Sequence, residues 1–312
     1  MSNNALNKAK SAKKDEFYTR MVDIAAELAH YKDQFKEKVI FCGCDDHNKS
    51  NFYKFYTQNF NALGIKRVVC SGVENASTMK GSYLEFDGTK ETIIKNCDGT
   101  FQTNIPKVVS KYGAENVVFV TNPPFSLFRD LIAVLVKYNV NFIILGNGNA
   151  ITYKEVFRFI KEDKIRLGYK SLTSRAWYVV PNGNNFEKMI DGEPCSHIDN
   201  SCWFTNLKVD VESNGAMDKL MYDFRKPDTL ESYYGLSEAE RNEKYPKYDN
   251  YDAINIDKCK DIPGDYFGEI GVPISFVYYL DPTVWDVIEV LQPTIGSRNL
   301  YKRIIIKRKQ IK

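Results

Sequence analysis

The chain has 312 residues, 43% of them hydrophobic, and a formal net charge of +3. That length suits two compact domains or one large one, and that composition excludes a disordered chain. The longest apolar stretches, Leu131 to Val136 and Phe142 to Leu145, fall far short of the roughly 20 residues a membrane span needs, and the Lys-containing N-terminus lacks the apolar core of a signal peptide. A cytoplasmic protein without membrane contact is expected. Seven cysteines, an odd number without a secretory signal, read as reduced thiols. Cys42 and Cys44 have only His47 nearby and no second cysteine pair, so no metal site is expected.

Charge is unevenly spread. Lysines at 8, 10, 13 and 14 precede the first acid, and Lys302, Arg303, Lys307, Arg308, Lys309 and Lys312 close the chain, leaving an acidic middle. Basic ends are compatible with gripping phosphates, and equally with solvated tails.

In chain order, Thr19 is placed to cap a helix on which Val22, Ala25, Ala26 and Ala29 share a face. Strands are expected over Lys38 to Cys44, Arg67 to Ser71, Asn116 to Thr121 and Asn141 to Leu145, separated by segments of helical character. That alternation argues for a parallel sheet covered by helices. Leu127, Leu131, Val134 and Leu135 predict a crossover helix over 126 to 138, and Thr152 to Phe159 should begin the next. From about residue 167 the pattern changes: Asn and Gly cluster at 182 to 185, and 232 to 266 is rich in Tyr, Asp and Lys with weak periodicity. The expected division is 1–167 for a nucleotide-binding, catalytic domain and 168–312 for a recognition region that could return to the core near its C-terminus.

Asn122, Pro123, Pro124 and Phe125 follow the third strand directly, where open α/β sheets place their ligands. An Asn oxygen and the carbonyl of the next proline can each accept one N–H of an exocyclic amine, freeing a lone pair otherwise delocalised into the ring. The prolines stiffen the turn, and Phe125 is suited to stack on a flipped base. The plainer reading is a turn after a strand.

The sequence resembles the EcoRI-type adenine-specific DNA methyltransferases. The likeness lies in D-E-F-Y-T (Asp15 to Thr19), C-D-D (Cys44 to Asp46) with S-N-F (Ser50 to Phe52), T-N-P-P-F-S-L-F (Thr121 to Phe128), I-T-Y-K-E-V-F (Ile151 to Phe157), Y-P-K-Y-D-N-Y-D-A-I-N (Tyr245 to Asn255) and G-V-P-I (Gly271 to Ile274). The resemblance implies a Rossmann-like sheet binding S-adenosylmethionine, a C-terminal target-recognition region, and methylation of adenine N6 in duplex DNA by base flipping, as part of restriction-modification. It favours a monomer, and any companion restriction endonuclease would form no stable complex with it.

The resemblance also assigns residues. Phe17, Tyr18 and Thr19 would line the methionine end of the cofactor, with Gly43, Asp45 and Asp46 in the loop after the first strand. Cys44 stands there where a second glycine commonly permits close backbone approach. Glu74 is the first carboxylate after the second strand and so the candidate for the ribose hydroxyls. Asp98 and Phe101 would meet the cofactor's adenine, or form an ordinary Asp-Gly turn. Asn122, Pro123, Pro124 and Phe125 would be catalytic. Cytosine N4 or RNA amino-methylation, and a catalytically silent DNA-binding module, remain alternatives. The Pro194-Cys195 pair suggests cytosine C5 chemistry, but it lies in a stretch without strand signals. Lys302, Arg303, Lys307 and Arg308 are candidates for phosphates, and Arg175, Asn206 and Arg241 for base edges.

Overall fold

Val39 to Gly43 and Val117 to Thr121 are continuous apolar runs buried at every residue, the signature of strands covered on both faces. In the computed structural model, which describes residues 17–169, 176–180, 186–209 and 223–310, these runs pair in parallel near the centre of an eight-stranded sheet. The chain forms two compact units: Met1–Asn147 with Leu167–Val209, and Gly148–Arg166 with Asp210–Lys312.

The first unit begins with β1 (Tyr18–Thr19) and α1 (Met21–Leu28), then β2 (Val39–Gly43), α2 (Asn51–Gln58) and β3 (Arg67–Asn75). It continues through β4 (Lys80–Phe86), β5 (Glu91–Asp98), α3 (Phe101–Tyr112), β6 (Val117–Thr121), α4 (Phe128–Lys137) and β7 (Asn141–Asn147). The chain returns at β8 (Arg166–Leu167) and adds β9 (Ala176–Val179), β10 (Lys188–Ile190), β11 (Glu193–Ile198) and β12 (Ser201–Thr205). Sheet order is β5-β4-β3-β2-β6-β7-β12-β8. The four strands anticipated from sequence, β2, β3, β6 and β7, form its parallel centre. Helix α2 crosses from β2 to β3 and α4 from β6 to β7. One face packs Ile24, Tyr31, Phe35, Tyr56 and Trp203 against sheet residues such as Val118 and Val120.

Four expectations need correction. Thr19 caps nothing: it lies in β1, paired with Tyr178, and Arg20 occupies the α1 N-cap. The buried face of α1 is Ile24, Glu27 and Leu28, while Val22 is 57% exposed. The polar Glu27 reaches that face because the Tyr31 hydroxyl donates to it at 2.9 Å and the Tyr169 N–H at 2.8 Å. Between β3 and β6 stands a hairpin, β4 and β5, turned over Asp87 to Lys90, where the Asp87 N–H donates to the Lys90 carbonyl and Gly88 adopts φ +98°. The helix expected from residue 126 opens as a tight 3-10 turn, Phe125–Leu127, and becomes α-helical at Phe128.

The division at 167 shifts as well. Strand β12 pairs antiparallel with β7 from Ser201 opposite Asn147 to Thr205 opposite Ile143, and β9 pairs with β1, so 167–209 belongs to the first unit. The second unit contains α5 (Lys154–Lys161), α6 (Glu238–Lys244), β13 (Ile254–Asn255), β14 (Glu269–Pro273), β15 (Trp285–Leu291), β16 (Thr294–Ile295), β17 (Arg298–Asn299) and β18 (Arg303–Arg308). Its main sheet runs β13-β14-β18-β15. Arg308, 5% exposed, stacks over Trp285 at 4.4 Å and donates to the Phe224 carbonyl at 2.6 Å. Arg303 pairs with Asp257 at 2.9 Å. Both therefore serve the fold rather than standing ready for phosphate. Asn206 also serves the fold, accepting from Phe142 N–H and donating to the Val140 carbonyl. Arg175, Asp15 and the N-terminal lysines lie outside the described residues. No helix among the described residues is long and apolar enough to cross a membrane.

Candidate active site

Parallel strands β2, β3 and β6 end side by side, so the loops that leave them converge. The cavity at this edge is lined by Phe17, Tyr18 and Thr19, by Cys44, Asp45 and Asp46 after β2, by Gly72, Val73 and Glu74 in β3, and by Asn122 and Pro124 after β6. Lys49, Ser50, Asn51 and Phe52, at the start of α2, complete it. Eight of the thirteen site residues expected from sequence thus meet: Phe17, Tyr18, Thr19, Asp45, Asp46, Glu74, Asn122 and Pro124.

Two asparagines fasten β1 to this edge. Asn122 donates through Nδ2 to the Phe17 carbonyl at 2.6 Å, and Asn51 donates to the Thr19 carbonyl at 2.8 Å. The first bond fixes which way the Asn122 amide faces: its nitrogen is occupied, and Oδ1 remains as acceptor. The Pro124 carbonyl is taken by the Leu127 N–H at 2.9 Å, which leaves the Pro123 carbonyl as the proline acceptor.

Asp45 sits at the junction of the loops. Its N–H donates to the Ser71 carbonyl at 3.0 Å, and its Oδ2 accepts from the Thr121 hydroxyl at 2.8 Å. Burial pushes its pKa up to about 7, with the Asp46 charge adding to the rise and hydrogen bonds from Ser50 and Thr121 opposing it. Thr121 immediately precedes Asn122, so one hydrogen bond ties the loop after β2 to the loop after β6. Cys44 adopts φ +63°, the left-handed conformation that glycine usually supplies. Burial raises its thiol pKa well above the ordinary range, which suits an inert neighbour rather than a nucleophile.

The helix N-terminus at this cavity belongs to α2, not to α1 as the sequence suggested. The Ser50 side chain caps it by accepting from Tyr53 N–H at 3.2 Å, and Lys49 stands beside it. Such an end attracts a carboxylate. Among the described residues the Thr19 hydroxyl, in the cavity lining, is buried with no hydrogen-bond partner, a condition that costs about 1–3 kcal/mol until a ligand satisfies it.

The other five expected residues stand apart from the lining. Gly43 ends β2, where a Cβ would meet the Phe119 ring at 2.3 Å. Pro123 is buried, and half-buried Phe125 opens the 3-10 turn. Asp98 turns its carboxylate to the Thr100 N–H and the Thr103 hydroxyl, both at 2.8 Å. Partial burial opposes ionisation there, but these bonds hold its pKa below the ordinary value. Phe101 is 3% exposed in the core. The Asp-Gly turn reading thus describes the hydrogen bonding seen at Asp98. Cys195 lies in strand β11 rather than in a strandless stretch, but in the small antiparallel sheet, with its thiol pKa raised by burial.

The residues missed from sequence are Gly72, Val73 and the α2 start. The S-N-F at Ser50 to Phe52 was visible as a motif, and serine before an aromatic-rich helix is a cap signal. Gly72 carries no local signal within a strand.

A parallel-centred sheet with an Asn-Pro-Pro-Phe loop beside an acidic, hydroxyl-lined cavity defines a methyltransferase. The chain belongs to the adenine-specific methyltransferase EcoRI family, whose model matches residues 5–311. It is 36% identical to the type II methyltransferase M.EcoRI of Escherichia coli, over 99% of this chain and 98% of that protein. To the type II methyltransferase M.MpnI of Mycoplasma pneumoniae it is 36% identical over 91% and 85%, and to M.MgeORF184P of Mycoplasma genitalium 31% over 98% and 99%. Among solved structures, a Pyrococcus horikoshii chain described as a candidate RNA methyltransferase covers 67% of this chain at a TM-score of 0.30 and 11% identity, too distant to inform the site.

Proposed function

We propose that this methyltransferase uses S-adenosylmethionine to methylate N6 of adenine in duplex DNA, with the target base flipped out of the helix. The observation that carries the reading is the Asn122 amide held by the Phe17 carbonyl beside the cavity. Its nitrogen is engaged, so its oxygen is the group that receives an N–H of the target amine.

The cavity fits the proposed cofactor. The α2 N-terminus and Lys49 suit its carboxylate, Asp45 and Asp46 suit its cationic end, and Glu74 suits its ribose hydroxyls. Thr19 holds an unsatisfied hydroxyl to offer. When bound, S-adenosylmethionine supplies an electrophilic methyl group. Asn122 Oδ1 and the Pro123 carbonyl accept the two amine hydrogens and draw the nitrogen towards its tetrahedral, nucleophilic form. Phe125 stacks on the base, and the stiff Pro-Pro segment keeps the acceptors in place without reorganisation. The 2.8 Å Thr121–Asp45 bond holds the two loops in register. Asp98 and Phe101 support the β3 end from the adjoining turn. In this reading the second unit supplies target recognition, the chain acts as a monomer, and any companion restriction endonuclease works separately.

The test is transfer of labelled methyl from S-adenosylmethionine to unmethylated duplex DNA, with nucleosides separated afterwards. Label in N6-methyladenine that disappears in Asn122→Ala, while donor binding persists, supports the reading. Label in N4-methylcytosine, or on RNA alone, overturns it.

A further inference from the structure

Strands β16 and β17 form a two-stranded ribbon separate from the main sheet of the second unit. Thr294 pairs with Asn299 and Ile295 with Arg298, so Gly296 and Ser297 make a two-residue turn. Their φ values, +55° and +66°, are both left-handed, as a tight I′ hairpin requires. Ser297 bears a cost of about 1–2 kcal/mol in that conformation, and the ribbon is held to it from below. Ser297 N–H donates to Asp249 at 3.1 Å, Thr294 N–H to Asn250 at 3.0 Å, and Asp249 N–H to the Thr294 carbonyl at 2.8 Å. Ile295 and Leu300 pack against Tyr248, Ala253 and Ile305. The result is a rigid base carrying a short projecting tip.

The tip has one kind of chemistry. No acid occurs after residue 289. Arg298, Asn299 and Lys302 are exposed, and Tyr301 is 89% exposed. Among the described residues, none of these four side chains takes part in a hydrogen bond or ion pair, although the Arg298 and Asn299 backbones pair across the ribbon. Two neighbouring cations are engaged, Arg303 with Asp257 and Lys309 with Asp286 at 3.6 Å, while Lys307 is exposed. A preorganised ribbon offering an unpaired arginine and asparagine to solvent has no evident use in folding.

We propose that the 294–302 hairpin enters a groove of the target duplex and reads base edges through Arg298 and Asn299, while Lys302 contacts a phosphate. The major groove admits a two-stranded ribbon, and arginine and asparagine are the side chains whose paired hydrogen-bonding groups match guanine and adenine edges. Tyr301 gives the ribbon a flat surface against the sugar-phosphate backbone. The inference rests on duplex DNA being the substrate.

Wild type, Arg298→Ala, Asn299→Ala and Lys302→Ala are each incubated with S-adenosylmethionine and unmethylated genomic DNA, and the methylated adenines are mapped by sequencing. Thermal melting confirms that each variant folds, as expected for exposed positions. Arg298→Ala and Asn299→Ala should each lower kcat/KM on the preferred site by about 10- to 100-fold and relax the preference at particular base pairs. Lys302→Ala should weaken all sites alike and reduce the salt dependence by about one phosphate. Unchanged site preference in both Arg298→Ala and Asn299→Ala overturns the proposal, and uniform weakening makes the hairpin a backbone clamp, which also overturns base reading. Wild type that methylates no duplex DNA removes the proposed function itself, a failure distinct from unchanged variants of an active enzyme.

Discussion

Asn122→Asp separates the two tasks assigned to the Asn122 amide. It keeps an oxygen to accept from the substrate amine but replaces the nitrogen that donates to the Phe17 carbonyl across 2.6 Å. Two oxygens with no proton between them do not stay at that distance, so the carboxylate either swings away or takes up a proton. Leaving the Phe17 carbonyl unpaired costs about 1–3 kcal/mol, and the half-buried position of Asn122 admits some water and favours the lower end. That corresponds to a rate loss of about tenfold. The nearby carbonyl favours the protonated carboxyl, which can donate to Phe17 with one oxygen and accept from the amine with the other. Initial rates of methyl transfer should therefore be reduced about tenfold at pH 8 and recover as pH falls, relative to wild type at each pH. The ratio matters because Asp45, with a pKa near 7, titrates in the same window. Asn122→Ala, lacking both groups, should lose about 100-fold or more with no recovery. Wild-type rates for Asn122→Asp at pH 8, or a ratio flat from pH 6 to 8, would refute the amide orientation on which the mechanism depends.

Between its ordinary pKa of 3.8 and its folded value of about 7, Asp45 keeps a proton in the native chain that the unfolded chain has lost. Stability from this group is thus complete below the unfolded pKa and is lost as pH rises through about 7. Asp45→Asn should gain on wild type from pH 5 to pH 8, with a ceiling of about 3 kcal/mol over that span, reduced by solvent at the half-buried side chain; a melting-temperature gap independent of pH would contradict this. Gly72→Ala would set a Cβ 2.5 Å from the Asp45 carbonyl oxygen, forcing the loop outwards, so calorimetry should find donor binding weakened about tenfold or more. Cys44→Gly removes a left-handed cost of about 1–2 kcal/mol, against about 0.4–1 kcal/mol of added unfolded-state entropy. Its melting temperature should rise slightly, and a clear fall would mean that Cys44 packing outweighs backbone strain.

The central strands were legible because they are covered on both faces and written as unbroken apolar runs, so period alone finds them. The α1 face was misread because its buried stripe contains Glu27, a carboxylate made tolerable by Tyr31 and by Tyr169, 142 residues away; no local pattern announces such a partner. The boundary at 167 failed for a similar reason. Ser201 to Thr205 reads locally as part of a later region, yet five consecutive pairings with β7 bind it to the first sheet. The basic stretch from Lys302 to Arg308 shows the same limit in charge. Arg308 disappears beneath Trp285 and Arg303 joins Asp257, partners distant in sequence that leave no local mark.

The site illustrates how a motif can depart from its usual form while its geometry persists. The loop after β2 lacks the second glycine expected of a nucleotide-binding turn, and Cys44 takes the left-handed conformation in its place. The glycines that permit close approach stand instead on neighbouring segments. A Cβ at Gly72 would strike the Asp45 carbonyl at 2.5 Å, and Cβ atoms at Gly81 and Gly99 would strike the Gly72 carbonyl at 1.8 and 2.3 Å. Three backbones from β3, β4 and the turn after β5 are thereby stacked beneath the loop. This stack also explains why Asp98 and Phe101 were drawn into the sequence reading of the cofactor site: Gly99 carries their turn against the β3 end, while the Asp98 carboxylate itself is spent on Thr100 and Thr103. Close backbone approach here is distributed over residues 72 to 99, so a search confined to the loop sees only its absence.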